Sequence, residues 1–248
     1  MMVHIRNLTL VCCLVLVSAC VNFTTVRSAP GHQQVISQSK VVALLPVEAE
    51  ISTADIAGNK HRMHDYEYTI QQMTRQELER SFKSKGYQVN VETKRSIHDK
   101  KLSRELVTLR QNYNKAALRM FDTIRKKEEI AINTNEQLGK KAVEFASALS
   151  ADMLIFTDYI SIVKTSGART RDFMIDMLVN TGASNNADNT RLVVTLVDGK
   201  TGNVIWANIA FDIRGLFESG FDSMSDAQGV DERRIAGLSQ KLLKKFPR

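Results

Sequence analysis

Two kinds of apolar pattern alternate along the chain. The first is the short continuous run. Val41-Val42-Ala43-Leu44-Leu45-Pro46-Val47 predicts a central strand ended by proline, because a β-rich run without a polar position leaves no face for solvent. The second is the spaced row. From Asp65 to Lys85, Ile70, Met73, Leu78 and Phe82 share one broad helical face, and Gly86 supplies the stop. A polar loop containing Gly58 is expected between them, and Gln88 to Thr93 reads as a short second strand.

The most regular helical signal runs from His98 to about Ile132. There Leu102, Leu106, Leu109, Tyr113, Ala116 and Met120 alternate steps of four and three, which is a heptad seam. The seam breaks at Thr123, with Ile124 one residue late, so packing against the body is expected over a free coiled coil. A helix that kept such a row in water would expose a patch of the kind that marks an interface. Leu102, Leu106, Leu109 and Met120 are therefore the candidate interface residues.

Leu138, Ala142, Phe145, Ala146 and Leu149 form another amphipathic helix that closes into a long strand from Asp152 to Val163. Arg169 to about Thr181 reads as a short helix and Gly182 to Asn189 as a loop of small and polar residues. Two further strands, Arg191–Val197 and Val204–Phe211, flank the turn residues Asp198 to Asn203 and predict a β-hairpin. Ile235, Leu238, Leu242 and Phe246 mark a closing helix. The order β-α-β-α-α-β-(short α)-β-β-α gives an α/β domain with a mixed sheet, flanking helices and a long helical elaboration.

The amino terminus changes the picture. A basic start ending in Arg6 leads into an apolar stretch from Leu8 to Val17 interrupted by Thr9, the layout of a secretory leader. It is too short to span a hydrocarbon core, which needs about 20 helical residues. Val17-Ser18-Ala19-Cys20 resembles a bacterial lipobox, which implies cleavage before Cys20 and lipid on its sulfur. The plainer alternative is an ordinary leader ending at Ala19 and a soluble mature chain. Val21 stands where, in many enteric bacteria, an aspartate holds lipoproteins at the inner membrane, so the resemblance implies the periplasmic face of the outer membrane. Acyl chains contribute about 0.8 kcal/mol per buried CH₂, which makes a multiply acylated cysteine a stable anchor.

The expected organisation is therefore a leader at 1–19, a lipidated cysteine and polar tether at 20–39 containing Pro30 and Gly31, and a periplasmic α/β domain at 40–248 with its long helical segment at about 98–132. Of the three cysteines, Cys12 and Cys13 fall in the leader, so the mature chain has no partner for an internal disulfide and no cysteine metal site.

The net charge of +7 is spread along the chain. Such a protein can meet anionic lipid, glycan or an acidic partner. Nucleic acid is not expected, because no basic run is interleaved with aromatics. Gly199-Lys200-Thr201 imitates the end of a phosphate loop, but Val194 stands where the first glycine is required and a strand follows, so no helix amides converge on a phosphate. His61 and His64 beside Asp65 lack a local third metal ligand, and His98 stands alone before a charged helix. There is no G-x-S-x-G and no surviving thiol nucleophile, and the carboxylates Glu67, Glu77, Asp158 and Asp176 are scattered. No catalytic residue, cofactor or metal is assigned.

Taken together, the lipobox, the Val-Ala-Leu-Leu-Pro strand at 42–46, Ala151-Asp152-Met153-Leu154-Ile155-Phe156 after a helix, and Leu196 to Ala207 (Leu-Val-Asp-Gly-Lys-Thr-Gly-Asn-Val-Ile-Trp-Ala) resemble a group of outer-membrane lipoproteins. Their domain is similar to the amino-terminal domain of TolB, and the group includes CsgG, LpoB and the Pel lipoprotein. The resemblance covers roughly 40–246, and it implies that Trp206 is a packing residue on the hairpin. It also implies a non-enzymatic assembly or docking component of a secretion, export or appendage machine, with an envelope protein complex or a homo-oligomer as partner. An activator of a peptidoglycan synthase and a periplasmic hydrolase are the alternatives. A pore would need clean alternation over about ten residues per strand. The stretches 164–190 and 214–230 lack it, because Lys164, Arg169, Arg171, Asp172 and Asp176, or Glu218, Asp222 and Asp226, interrupt them. A soluble ring or adaptor ranks above a pore.

Overall fold

A computed structural model describes residues 24–125, 134–164, 167, 189–212 and 232–247. Its centre is β2 (Val41–Leu44), where Val42, Ala43 and Leu44 are fully buried, as their unbroken apolar run requires. β2 pairs in parallel with β5 (Gln88–Val91) on one side and β6 (Met153–Lys164) on the other. β6 then pairs antiparallel with β7 (Asn189–Asp198), and β7 with β8 (Val204–Asp212). The sheet is mixed, with eight strands among the described residues.

Helices cover both faces, and β6 shows how. Met153, Ile155 and Tyr159 enter a core with α2 (His64–Ser84) and α6 (Glu232–Leu243), while Leu154 and Phe156 enter a second core with α4 (Ser103–Arg125) and α5 (Lys140–Ala148). Alternation of side chains along one strand thus feeds two apolar layers. In the first core Phe82, Tyr87, Trp206 and Phe246 meet edge to face at centroid distances of 5.4 to 6.2 Å.

Three expectations need correction. From Thr24 onward the segment 20–39 is not a tether. Thr24–Ser28 forms β1, the edge strand antiparallel to β8, and His32–Gln38 forms α1, which buries Ile36. The turn between them uses Gly31 at φ +74°. Arg27 is buried and its Nε donates to the Met120 carbonyl at 3.2 Å, tying β1 to α4. Polar composition hid this strand, because its stability comes from ladder bonds to β8 and not from an apolar face.

The polar loop after Pro46 is also mostly strand. β3 (Glu48–Ala54) continues along β6, and β4 (Lys60–Arg62) folds back on β3. Leu44 is opposite Ile155 and Glu48 opposite Asp158, so one extra residue is accommodated between them. Pro46 sits in that bulge, where its missing N–H costs no ladder bond.

The long helix from His98 is two helices. α3 (Lys94–Asp99) begins at a capping box made by Thr93 and Ser96, and α4 starts at Ser103. Lys101 is left-handed at φ 59° between them, while the Leu102 amide donates to the Ile97 carbonyl at 3.0 Å. The break has no glycine or proline to announce it. The expected end near Ile132 and the short helix 169–181 lie outside the described residues.

Candidate interaction surface

α4 is held to the sheet by the seam read from sequence. Leu109, Tyr113, Ala116 and Met120 are buried in the second core, and Leu102 and Leu106 are partly buried at its edge. The Leu109 and Met120 side chains therefore face the chain's own sheet. The same helix turns Val107 and Leu118 to solvent, 58% and 71% exposed. These two are eleven residues apart, about three turns, and so share a face with Gln111 and Asn114. Val107, Gln111, Asn114 and Leu118 make an outward row without a charge, on a chain in which a quarter of the residues are charged. Depletion of charge is what sets the centre of an interface apart from ordinary surface. No periodicity announces the row, because its apolar members are only two.

Beneath α4 lies a half-buried polar cluster built on the buried Tyr113. The Tyr113 hydroxyl donates to Asp158 at 2.7 Å, and Arg110 pairs with the other Asp158 oxygen and donates to the Thr157 carbonyl at 3.2 Å. The guanidinium lies over the Tyr113 ring, 4.8 Å from its centroid, and Tyr113 stacks on Phe156 at 4.5 Å. Burial pushes the Asp158 carboxyl above the usual carboxylate range, with Arg110 and the Tyr113 hydroxyl opposing it. Burial also raises the Tyr113 hydroxyl, well beyond its ordinary value. These groups face the packed layer between α4 and the sheet, so their effect is to fix the orientation of the helix.

Arg110→Ala is expected to lower stability at pH 7 by on the order of 2 kcal/mol, since it leaves the half-buried Asp158 without its cation. An acid whose folded pKa is raised weakens the fold when ionised, and this effect is relieved as pH falls through that pKa. The deficit of the variant at pH 7 should therefore shrink at a lower pH. Urea midpoints at the two pH values measure it, and a deficit independent of pH would show that packing, not charge, is lost.

The other expected sites fall apart in space or take structural roles. Glu67 accepts from Arg62 at 2.6 Å and from the Ile51 amide at 3.3 Å, with His64 at 3.3 Å, and its carboxyl is held down chiefly by Arg62. His61 instead meets Asp55, at 3.2 Å, so the two histidines sit on different carboxylates. Among the described residues no three such side chains gather as metal ligands. Glu77 pairs with Arg80 at 2.9 Å. Asp176 lies outside the described residues. His98 lines an open concavity with Asp99, Lys101, Ser103 and Arg104 at the α3–α4 junction.

Gly199-Lys200-Thr201 is the β7–β8 turn, in which Asp198 accepts from the Lys200 amide at 3.1 Å and from the Thr201 hydroxyl at 2.5 Å. Gly199 is required there, because a Cβ would stand 2.7 Å from the Ala151 carbonyl oxygen. Trp206, on β8, is completely buried and meets Phe246 edge to face. Cys20 lies outside the described residues, and among those described no helix is long and apolar enough to cross a membrane.

No family model matches the chain, and no curated protein sequence matches it. By shape it is similar to the PelC dodecamer from Paraburkholderia phytofirmans, at 11% identity and a TM-score of 0.38, over 91% of this chain and 98% of that one. A point variant of the same protein gives 11% and 0.38 over 92% and 99%. The lipoprotein GNA1162 from Neisseria meningitidis is similar at 11% identity and a TM-score of 0.29, over 79% of this chain and 96% of that one.

Proposed function

We propose that the chain is a non-enzymatic lipoprotein, cut before Cys20 and anchored by lipid to the periplasmic face of the outer membrane, where it docks on or assembles into a secretion, export or appendage machine. The observation that carries this reading is Val17-Ser18-Ala19-Cys20 at the end of a basic and then apolar leader. Two features of the fold support it. Glu67 and Asp158, carboxylates that a hydrolase reading would use, are engaged in ion pairs that lock α2 and α4 in place. The outward row on α4, opposite the seam that includes Leu102 and Leu106, supplies an uncharged contact for a partner or a second copy. Leu109 and Met120 act in that contact by holding the helix that presents it.

The anchor is tested by Cys20→Ala. The variant should lose incorporation of a palmitate analogue and move from the membrane to the soluble fraction. Equal labelling and unchanged fractionation would overturn the lipoprotein reading.

A further inference from the structure

We propose that the strand end bearing the β3–β4 turn faces the bilayer, and that Ile56 in this turn rests in the headgroup layer of a phospholipid surface. The inference rests on the lipid anchor at Cys20, and it starts from the length of chain between anchor and fold. Thr24 is already paired in β1, so four peptide units separate it from Cys20. They span at most about 14 Å.

Register fixes the end of the sheet at which β1 begins. Thr24 is opposite Ala210, Ala210 opposite Leu192, Leu192 opposite Tyr159 and Tyr159 opposite Ala49. From that level β6 runs on to Lys164, five residues or about 17 Å further, with β3 beside it to Ala54. β1 enters from the same end, so Cys20 at full reach lies near the level of the β6 terminus and no further. The turn from Asp55 to Asn59 stands beyond Ala54 and Lys60, the last pair of the β3–β4 ladder. A bilayer that takes the acyl chains of Cys20 in this direction therefore meets the turn.

The chemistry of the turn suits a shallow seat. Ile56 is 59% exposed at its tip, and Lys60 at its base is exposed too. Asp55 is folded back, accepting from the Asn59 amide at 2.8 Å and the Asn59 side chain at 3.1 Å, with His61 at 3.2 Å. An apolar tip over a hydrogen-bonded polar base matches the boundary between headgroups and acyl chains, and a charged carboxylate argues against deeper entry. β6 and β8 end, and β7 begins, at this end of the sheet as well.

The rival orientation lays the β1 edge on the membrane. It would hold the turn roughly 20 Å away, four strand spacings across the sheet.

Fluorescence quenching separates the two. The lipidated chain is produced with its leader as Ile56→Cys and, at the opposite end of the sheet, as Lys200→Cys. Cys20 is then a thioether, so each variant offers one thiol for a fluorophore. Both are reconstituted in phosphatidylethanolamine and phosphatidylglycerol vesicles that carry nitroxide-labelled lipid. Quenching at 56 should exceed that at 200 at least three-fold. It should fall to the level at 200 when a flexible spacer of about a dozen residues, roughly 20 Å in mean reach, is inserted after Val21. Ala57→Cys repeats the measurement if Ile56→Cys does not fold. Equal quenching at both ends of a membrane-bound chain, or quenching unaffected by the spacer, would overturn the orientation. Loss of membrane binding together with labelling of Cys20 itself would instead overturn the anchor reading on which it rests.

Discussion

The Trp206→Ala variant is expected to unfold at a free energy about 3–5 kcal/mol below that of the natural sequence, the range found when a large buried aromatic is truncated. Trp206 is fully buried, sits on the long β8 strand and packs edge to face on Phe246, whose ring also meets Phe82 and Tyr87. A cavity there loosens α6 and α2 together. Its Nε1 has no hydrogen-bond partner among the described residues. Trp206→Phe therefore forfeits volume without forfeiting a bond, and should show the smaller share of the loss. Urea unfolding of the mature chain carrying Cys20→Ala, which keeps it off the membrane, gives both numbers. A Trp206→Ala chain of unchanged stability that fails to recover envelope partners would make this residue a binding contact instead.

What the sequence disclosed follows from how locally each element is specified. β2, α2 and the β7–β8 hairpin carry their own pattern: an unbroken apolar run, a one-faced row, two strands around Asp198 to Asn203. β1, β3 and β4 do not. Thr24-Thr25-Val26-Arg27-Ser28 and Glu48-Ala49-Glu50-Ile51 become strands because β8 and β6 offer them partners, information that lies over a hundred residues away. The α3–α4 break rests on hydrogen bonds at Lys101 and Leu102 that lysine and leucine do not foretell.

The same distinction governs the site. The seam of α4 was legible because it repeats, whereas the union of Arg110 with Asp158 joins residues 48 apart and reads in sequence as two scattered charges. Arg27, which fastens β1 to Met120 across 93 residues, gave no signal at all.

The two faces of α4 should separate under mutation. Leu109 is completely buried among Tyr113, Ala116, Phe145 and Phe156, so Leu109→Glu places a carboxylate in an apolar layer. Its desolvation, added to lost packing, should cost at least about 4 kcal/mol and abolish the cooperative unfolding transition near neutral pH. Val107 and Leu118 point outward, and surface changes of this kind usually stay within about 0.5 kcal/mol each. The pair Val107→Glu with Leu118→Glu should therefore keep the far-ultraviolet circular dichroism and the urea midpoint of the natural sequence. If the uncharged row is an assembly contact, that same pair places like charges and unpaired carboxylates at its centre, where complementarity is least forgiving. Light scattering should then report a smaller species, and purification from membranes should lose the partners that the natural chain retains. A natural chain that is monomeric and recovers no envelope partner would defeat the assembly reading outright. A double variant that assembles as before would move the contact away from this face of α4, while leaving the role of Leu109 in the core untouched.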